Sequence, residues 1–97
     1  MPFTYLLRCS NGGFYVGSTR GDLGFRIWQH NTGTGSRYTA SRRPVTLEWS
    51  AEFALVTEAF ALEKRLQGWS RAKRQALIDG RFDLLPGLSR SKSAPRT

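Results

Sequence analysis

Phe3-Thr4-Tyr5-Leu6-Leu7-Arg8-Cys9, then Ser10-Asn11-Gly12-Gly13, then Phe14-Tyr15-Val16-Gly17-Ser18: the architecture of the chain turns on this segment. Two short, apolar, β-prone runs flank a cluster of turn-forming residues, which is the signature of a β-hairpin. A glycine inside the return strand, Gly17, marks a close backbone approach to a neighbour or to a ligand. The hairpin places one tyrosine, Tyr5 or Tyr15, on each strand. Downstream stand Arg26, His30 and Glu63. Two phenols, a guanidinium, an imidazole and a carboxylate form a set able to cleave a phosphodiester.

Beyond the hairpin, Asp22 is placed to cap a helix running to about His30, with Leu23 and Ile27, and Phe25 and Trp28 beside them, on its apolar face. Asn31-Thr-Gly-Thr-Gly-Ser36 reads as a loop, and Tyr38 to Arg43 as a basic, polar continuation. After Pro44, the residues Val45, Leu47 and Trp49 alternate with Thr46, Glu48 and Ser50. That period predicts a third strand with one buried face. From Thr57 to Gln67 the period becomes helical, with Ala59, Leu62, Leu66 and Trp69 on one stripe and Glu63 at its edge. Gly68 ends or interrupts this helix. Ser70 caps another that runs to about Asp79, with Ala72, Ala76 and Leu77 inward, and Gly80 stops it. Trp49 and Trp69 are assigned to the core. The fold class is therefore α+β: a small three-stranded antiparallel sheet flanked by helices. Residues 1–82 form one domain, and residues 83–97 a basic tail without periodicity, expected to be disordered.

The 97 residues suffice for one core and not for two. Cys9 is the only cysteine and His30 the only histidine, which excludes an internal disulfide and a structural zinc site. No apolar run approaches the ~18 residues a bilayer span needs. The N-terminus lacks the regions of a signal peptide, so the expected location is the cytoplasm, with no membrane partner. The net charge is +8, carried mostly by arginine. This is the footprint of a polyanion binder, since arginine's planar fork suits phosphate oxygens. Arg90, Lys92 and Arg96 lie in the tail and leave +5 on residues 1–89.

These residues resemble the GIY-YIG nuclease superfamily, and in particular its small stand-alone bacterial members. Tyr5-Leu6-Leu7 stands where the family has its first motif, here without the glycine and isoleucine. Tyr15-Val16-Gly17 is the second motif. Arg26-Ile27-Trp28-Gln29-His30-Asn31 is similar to the arginine helix, though Gly24 falls inside its first turn. Gly33-Thr-Gly-Ser-Arg-Tyr-Thr39 with Arg42-Arg43-Pro44 is similar to the Gly-rich basic loop. Glu58-Ala59-Phe60-Ala61-Leu62-Glu63 with Gly68-Trp69-Ser70-Arg71-Ala72-Lys73 is similar to the metal-glutamate helix and the segment after it. Five motifs in order at compatible spacing carry more weight than any one of them. Gln67 stands where small members usually have lysine. The asparagine that supports the site in larger members has no counterpart here.

The resemblance implies a metal-dependent DNA endonuclease using Mg²⁺ or Mn²⁺. Its implied catalytic residues are Tyr5, Tyr15, Arg26, His30 and Glu63, with Glu63 as the metal ligand. One carboxylate can hold one Mg²⁺ when waters and phosphate oxygens complete the octahedron. Arg26 would brace the scissile phosphate, and His30, at i+4 on the same helix face, would relay a proton or orient Tyr15. An ordinary phenol titrates at about 10, so a tyrosine base needs a nearby cation. The sequence leaves open which tyrosine is that base. Gly17 would let backbone approach the phosphate. Arg37, Tyr38, Arg42, Arg43, Arg71 and Lys73 are the candidate nucleic-acid contacts, with Tyr38 able to stack on a base. So small a domain favours structure-selective cutting in DNA repair or processing, or a protein partner, over a long recognition site. The alternatives are a non-catalytic nucleic-acid-binding module on the same fold and a protein-interaction adaptor.

Overall fold

The structure is a computed structural model that describes residues 1–84. Strands β1 (Phe3–Arg8), β2 (Phe14–Thr19) and β3 (Thr46–Glu52) form one antiparallel sheet in the order β2-β1-β3. Four helices lie along the described chain: α1 (Leu23–Thr32), α2 (Arg37–Ala40), α3 (Val56–Gln67) and α4 (Arg71–Ile78). A 3₁₀ turn at Phe82–Leu84 ends it. The expected tail lies, from residue 85 onward, outside the described residues.

The hairpin forms as its turn chemistry demands. Gly12 adopts φ +87°, a left-handed conformation that an L side chain resists, and the Asn11 carboxamide oxygen accepts from the Gly13 amide at 2.9 Å. The register that results sets Tyr5 opposite Gly17 and Leu6 opposite Val16. Alternation along β1 then sorts its side chains to two faces. Leu6 meets Phe14, Val16, Leu66 and Leu77, with Trp49, Leu62, Trp69 and Ile78 packed around them, so α3 and α4 cover this face. Thr4 on the same face donates to the Ala59 carbonyl at 2.7 Å. Tyr5, Leu7 and Cys9 face the other way, against Val45, Leu23 and Ile27, so α1 covers that side. The two clusters are small, and every residue of the central strand from Thr4 to Leu7 is fully buried.

The caps agree with the sequence. Asp22 accepts from the Phe25 amide and Gly33 (φ +90°) closes α1. Ser70 accepts from the Lys73 amide at the start of α4. Arg74 donates to the carbonyls of Leu66 and Gln67 at 3.0 and 2.9 Å, tying α4 to the end of α3.

Four expectations are corrected. Val45, Leu47 and Trp49 do not share a face. The β1–β3 register shifts between Leu6, opposite Trp49, and Leu7, opposite Leu47, which makes Glu48 an extra residue. This bulge turns Trp49 toward the Leu6 cluster while Val45 stays with Tyr5 and Leu7. Second, Ala72 is exposed and Lys73 is buried in its place, its ammonium 3.9 Å from the centre of the Trp69 ring. Third, Phe25 and Trp28 stack on each other in solvent, 5.6 Å apart, rather than facing the core. Fourth, Ser36 caps a helical turn, α2, within the stretch read as irregular.

Candidate functional site

Tyr5, Arg26 and His30 meet beneath the sheet at one atom. The Tyr5 hydroxyl lies 2.8 Å from His30 Nε2 and accepts from Arg26 Nε at 3.2 Å. The i, i+4 spacing of Arg26 and His30 on α1 brings both to the same phenol. Tyr5 and His30 are fully buried. Burial pushes the Tyr5 phenol above its ordinary pKa, against the opposing hydrogen bond from Arg26, so Tyr5 is a neutral phenol at neutral pH. Burial, and then the charge of Arg26, lower His30 to about 4, so its imidazole is neutral as well.

Arg26 is held on three sides. Besides Tyr5, it donates from Nη1 to Gln29 Oε1 at 3.0 Å and from Nη2 to the Gly35 carbonyl at 3.2 Å. A guanidinium carries more N–H groups than these bonds use, so hydrogens on both terminal nitrogens remain for an anion. The second nitrogen of His30, Nδ1, lies 2.8 Å from Thr39 Oγ1 on α2.

Tyr15 joins this group by ring contact. Its centroid is 5.2 Å from that of His30 and 5.7 Å from that of Tyr38, with Tyr15 and Tyr38 stacked. Arg42 covers the Tyr38 ring at 3.9 Å and donates to the Tyr38 carbonyl at 2.8 Å. A column of flat groups thus climbs from buried His30 through half-buried Tyr15 to the surface at Tyr38 and Arg42. Of the two phenols, Tyr15 is the one solvent reaches.

Glu63 comes from the opposite layer. Its carboxylate accepts from Ser18 Oγ at 2.6 Å and from Gln67 Nε2 at 3.0 Å. Ser18 succeeds Gly17 on the edge strand β2, so Glu63 and the Tyr5 hydroxyl approach opposite faces of adjacent residues. The described ion pairs, Arg8–Glu48 and Arg81–Asp83, do not involve Glu63. Among the described residues no three His, Cys, Asp or Glu side chains cluster as a metal cage. A single half-buried carboxylate, held in place by two neutral donors, is a hard-oxygen anchor that fits an ion retaining its waters, as Mg²⁺ does.

Gly17 has a different reason from the one its motif suggests. A Cβ there would lie 2.6 Å from the Tyr5 hydroxyl oxygen, so the group that approaches this backbone is the Tyr5 side chain. Of the basic residues, Arg37 and Arg43 lie on and after α2, with Arg43 Nε donating to the Ala40 carbonyl at 2.8 Å. Arg71 is exposed and lies over the Phe14 ring at 4.7 Å. Lys73, packed on Trp69, is not presented to solvent. Five residues have a part in the site that the sequence reading did not give them: Ser18, Gln29, Gly35, Thr39 and Gln67, the last noted there only as replacing the usual lysine. Two of them had a signal, since Gln67 is i+4 from Glu63 and Gln29 is i+3 from Arg26. Asn31, next to His30, hydrogen-bonds the Val45 amide and carbonyl at 2.7 and 3.0 Å and ties α1 to the strand connection.

The model of the GIY-YIG catalytic domain matches residues 1–76. The chain belongs to the GIY-YIG family. That superfamily is one of nucleases, which typically use divalent metal ions. A UPF0213 protein of Bacillus pumilus is 40% identical over 77 residues, covering 79% of this chain and 78% of that protein. A UPF0213 protein of Halobacterium salinarum is 40% identical over 78 residues, covering 80% of this chain and all of that one. The solution NMR structure of a UPF0213 protein from Bacillus halodurans superposes with a TM-score of 0.52 at 34% identity, covering 81% of this chain and 84% of that one. The GIY-YIG assignment agrees with the three-stranded antiparallel sheet and its flanking helices. Among the described residues no helix is long and apolar enough to cross a membrane.

Proposed function

We propose that this GIY-YIG protein is a metal-dependent DNA endonuclease, structure-selective and acting in DNA repair or processing. The observation that carries this reading is the convergence of Tyr5, Arg26 and His30 on one phenol oxygen, with Tyr15 packed on His30. Arg26 has N–H groups left over for a non-bridging phosphate oxygen, and its three protein bonds fix their direction. Bidentate contact of this kind neutralises charge that grows on the phosphate during attack. Tyr15, the accessible one of the two, acts as its phenolate and takes the proton of the attacking water, whose oxygen forms the new bond to phosphorus as the bond to the leaving oxygen breaks; the leaving oxygen departs with that electron pair and takes a proton from solvent. Tyr5, buried and neutral, orients Arg26 and His30 and does not itself touch the substrate. Glu63 would hold Mg²⁺ or Mn²⁺. When bound, the ion supplies charge neutralisation on the phosphate and favours the ionised form of groups beside it.

Arg37, Tyr38, Arg42 and Arg43 carry the nucleic-acid backbone to this point, and the +8 charge of the chain gives that contact its strength. Arg71 extends the same basic surface, while Lys73 supports it from inside. The location consistent with this role is the cytoplasm.

The test is a panel of single-stranded, duplex, nicked and branched DNAs, incubated with Mg²⁺, Mn²⁺ or EDTA, beside the Glu63→Ala variant. The expected result is metal-dependent cutting of one structural class, lost in the variant with binding retained. Binding without cutting on every substrate would overturn the proposal in favour of a non-catalytic module or of an enzyme that needs a partner.

A further inference from the structure

Thr39 has no part in the roles assigned above, yet its hydroxyl closes the network from the far side. Thr39 Oγ1 lies 2.8 Å from His30 Nδ1 and 2.9 Å from Ser36 Oγ, and 3.4 Å from the Ser36 carbonyl it donates to. Thr39 is fully buried. Gly35 lets this loop settle on the imidazole: a Cβ there would lie 2.6 Å from Nδ1.

The hydrogens along this chain admit two registers, and only one satisfies every buried group. In the first, the Tyr5 hydroxyl donates to Nε2, Nδ1–H donates to Thr39, and Thr39 donates onward to Ser36. The Tyr5 oxygen keeps a lone pair for Arg26. In the second, Thr39 donates to Nδ1 and Nε2–H donates to Tyr5. The Tyr5 oxygen then accepts from both His30 and Arg26, and its own hydrogen has no acceptor among its contacts, since Arg26 can only donate. A buried hydroxyl hydrogen without a partner is costly.

We infer that Thr39 is a positioning residue: Arg26, which can only donate, turns the Tyr5 lone pair toward itself and the Tyr5 proton toward Nε2, and Thr39 accepts the Nδ1–H that this leaves on His30, which fixes the plane of the imidazole. The imidazole, and through Tyr5 the Arg26 guanidinium, is thereby anchored to α2, the same short helix that carries Arg37 and Tyr38. The link to cleavage rests on the function proposed above; the tautomer does not.

His30 is the only histidine in the chain, so its two imidazole nitrogens can be read without overlap in a long-range ¹H–¹⁵N correlation spectrum of the intact protein. The expected result at neutral pH is a protonated Nδ1 and a bare Nε2 in wild type, Thr39→Ser and Thr39→Val alike, with the Nδ1–H resonance moved only in Thr39→Val, where it has lost its acceptor. A wild-type imidazole protonated at Nε2 overturns the inference, and so does a Thr39→Val spectrum identical to wild type. Should Thr39→Val not fold, the wild-type spectrum alone still decides. On the DNA that wild type cuts, Thr39→Val is expected to lose roughly 10–100-fold in kcat, as removal of a supporting hydrogen bond does at other sites, with KM nearly constant. Thr39→Ser is expected to restore kcat. An equal loss in both variants would make Thr39 merely structural. Absence of cutting by wild type would defeat the proposed function and leave the imidazole spectrum to judge the tautomer.

Discussion

Lowering the pH through the range where only histidine titrates should destabilise this protein, and the size of the effect comes from one residue. His30 is fully buried and its pKa falls from 6.5 to about 4, because burial and the charge of Arg26 both disfavour the imidazolium. Between those two values the unfolded chain binds a proton that the folded chain refuses. Stability from neutral His30 is therefore complete above the unfolded pKa and is lost as pH falls toward the folded one. Linkage puts the loss at about 1 kcal/mol on going from about pH 7.5 to about pH 5.5, and about 3 kcal/mol once both states are protonated. Over the first interval carboxylates contribute little, since their ordinary pKa values of about 4 lie well below it. With a urea slope of about 1 kcal/mol/M for so small a domain, the unfolding midpoint should drop by about 1 M. The assay is urea denaturation followed by tryptophan fluorescence at both pH values, for wild type and for His30→Gln. Wild type should show the drop and the variant should not. Equal midpoints in wild type, or an imidazole that titrates near its ordinary pKa in the folded protein, would refute the argument and place His30 in contact with water.

Gly17→Ala should cost about 1–3 kcal/mol in urea denaturation, because its Cβ would fall 2.6 Å from the Tyr5 hydroxyl oxygen in a packed interior; unchanged stability would mean that Tyr5 has room to move. Tyr15→Phe should slow cleavage by roughly 10²-fold or more with little change in stability. Tyr5→Phe should instead destabilise by about 1–3 kcal/mol, since it leaves His30 Nε2 and Arg26 Nε without their partner; the reverse pattern in kinetics and denaturation would exchange the two roles. Deleting residues 88–97 removes Arg90, Lys92 and Arg96 and should weaken DNA binding and flatten its salt dependence while cleavage persists. Loss of cleavage would make the tail part of the catalytic domain.

The features legible in the sequence were those that depend on near neighbours. Turn residues announced the hairpin, side-chain oxygens announced the caps of α1 and α4, and i+4 spacing put Arg26 and His30 on one face. The features that stayed hidden were set by partners far along the chain. The bulge at Glu48 is invisible in an alternating pattern, because it arises only when β3 is laid against β1. Thr39 in a polar loop carries no mark of the imidazole nine residues before it. Lys73 looked like a surface cation, and its burial with the ammonium 3.9 Å from the centre of the Trp69 ring follows from a contact that the sequence does not announce. The two tyrosines illustrate the division most clearly. Both stand at odd positions of neighbouring strands, both lie on the α1 face, and both have a phenol that could serve as base. Their difference comes from position in the sheet. β1 is central, so Tyr5 is covered on all sides, and Gly17 opposite it leaves the space its side chain occupies. β2 is the edge, so Tyr15 is only half covered and leans outward against Tyr38. In the function proposed above, the phenol sealed in the core holds Arg26 steady, and the phenol at the edge is the one that a water molecule bound for phosphorus would reach.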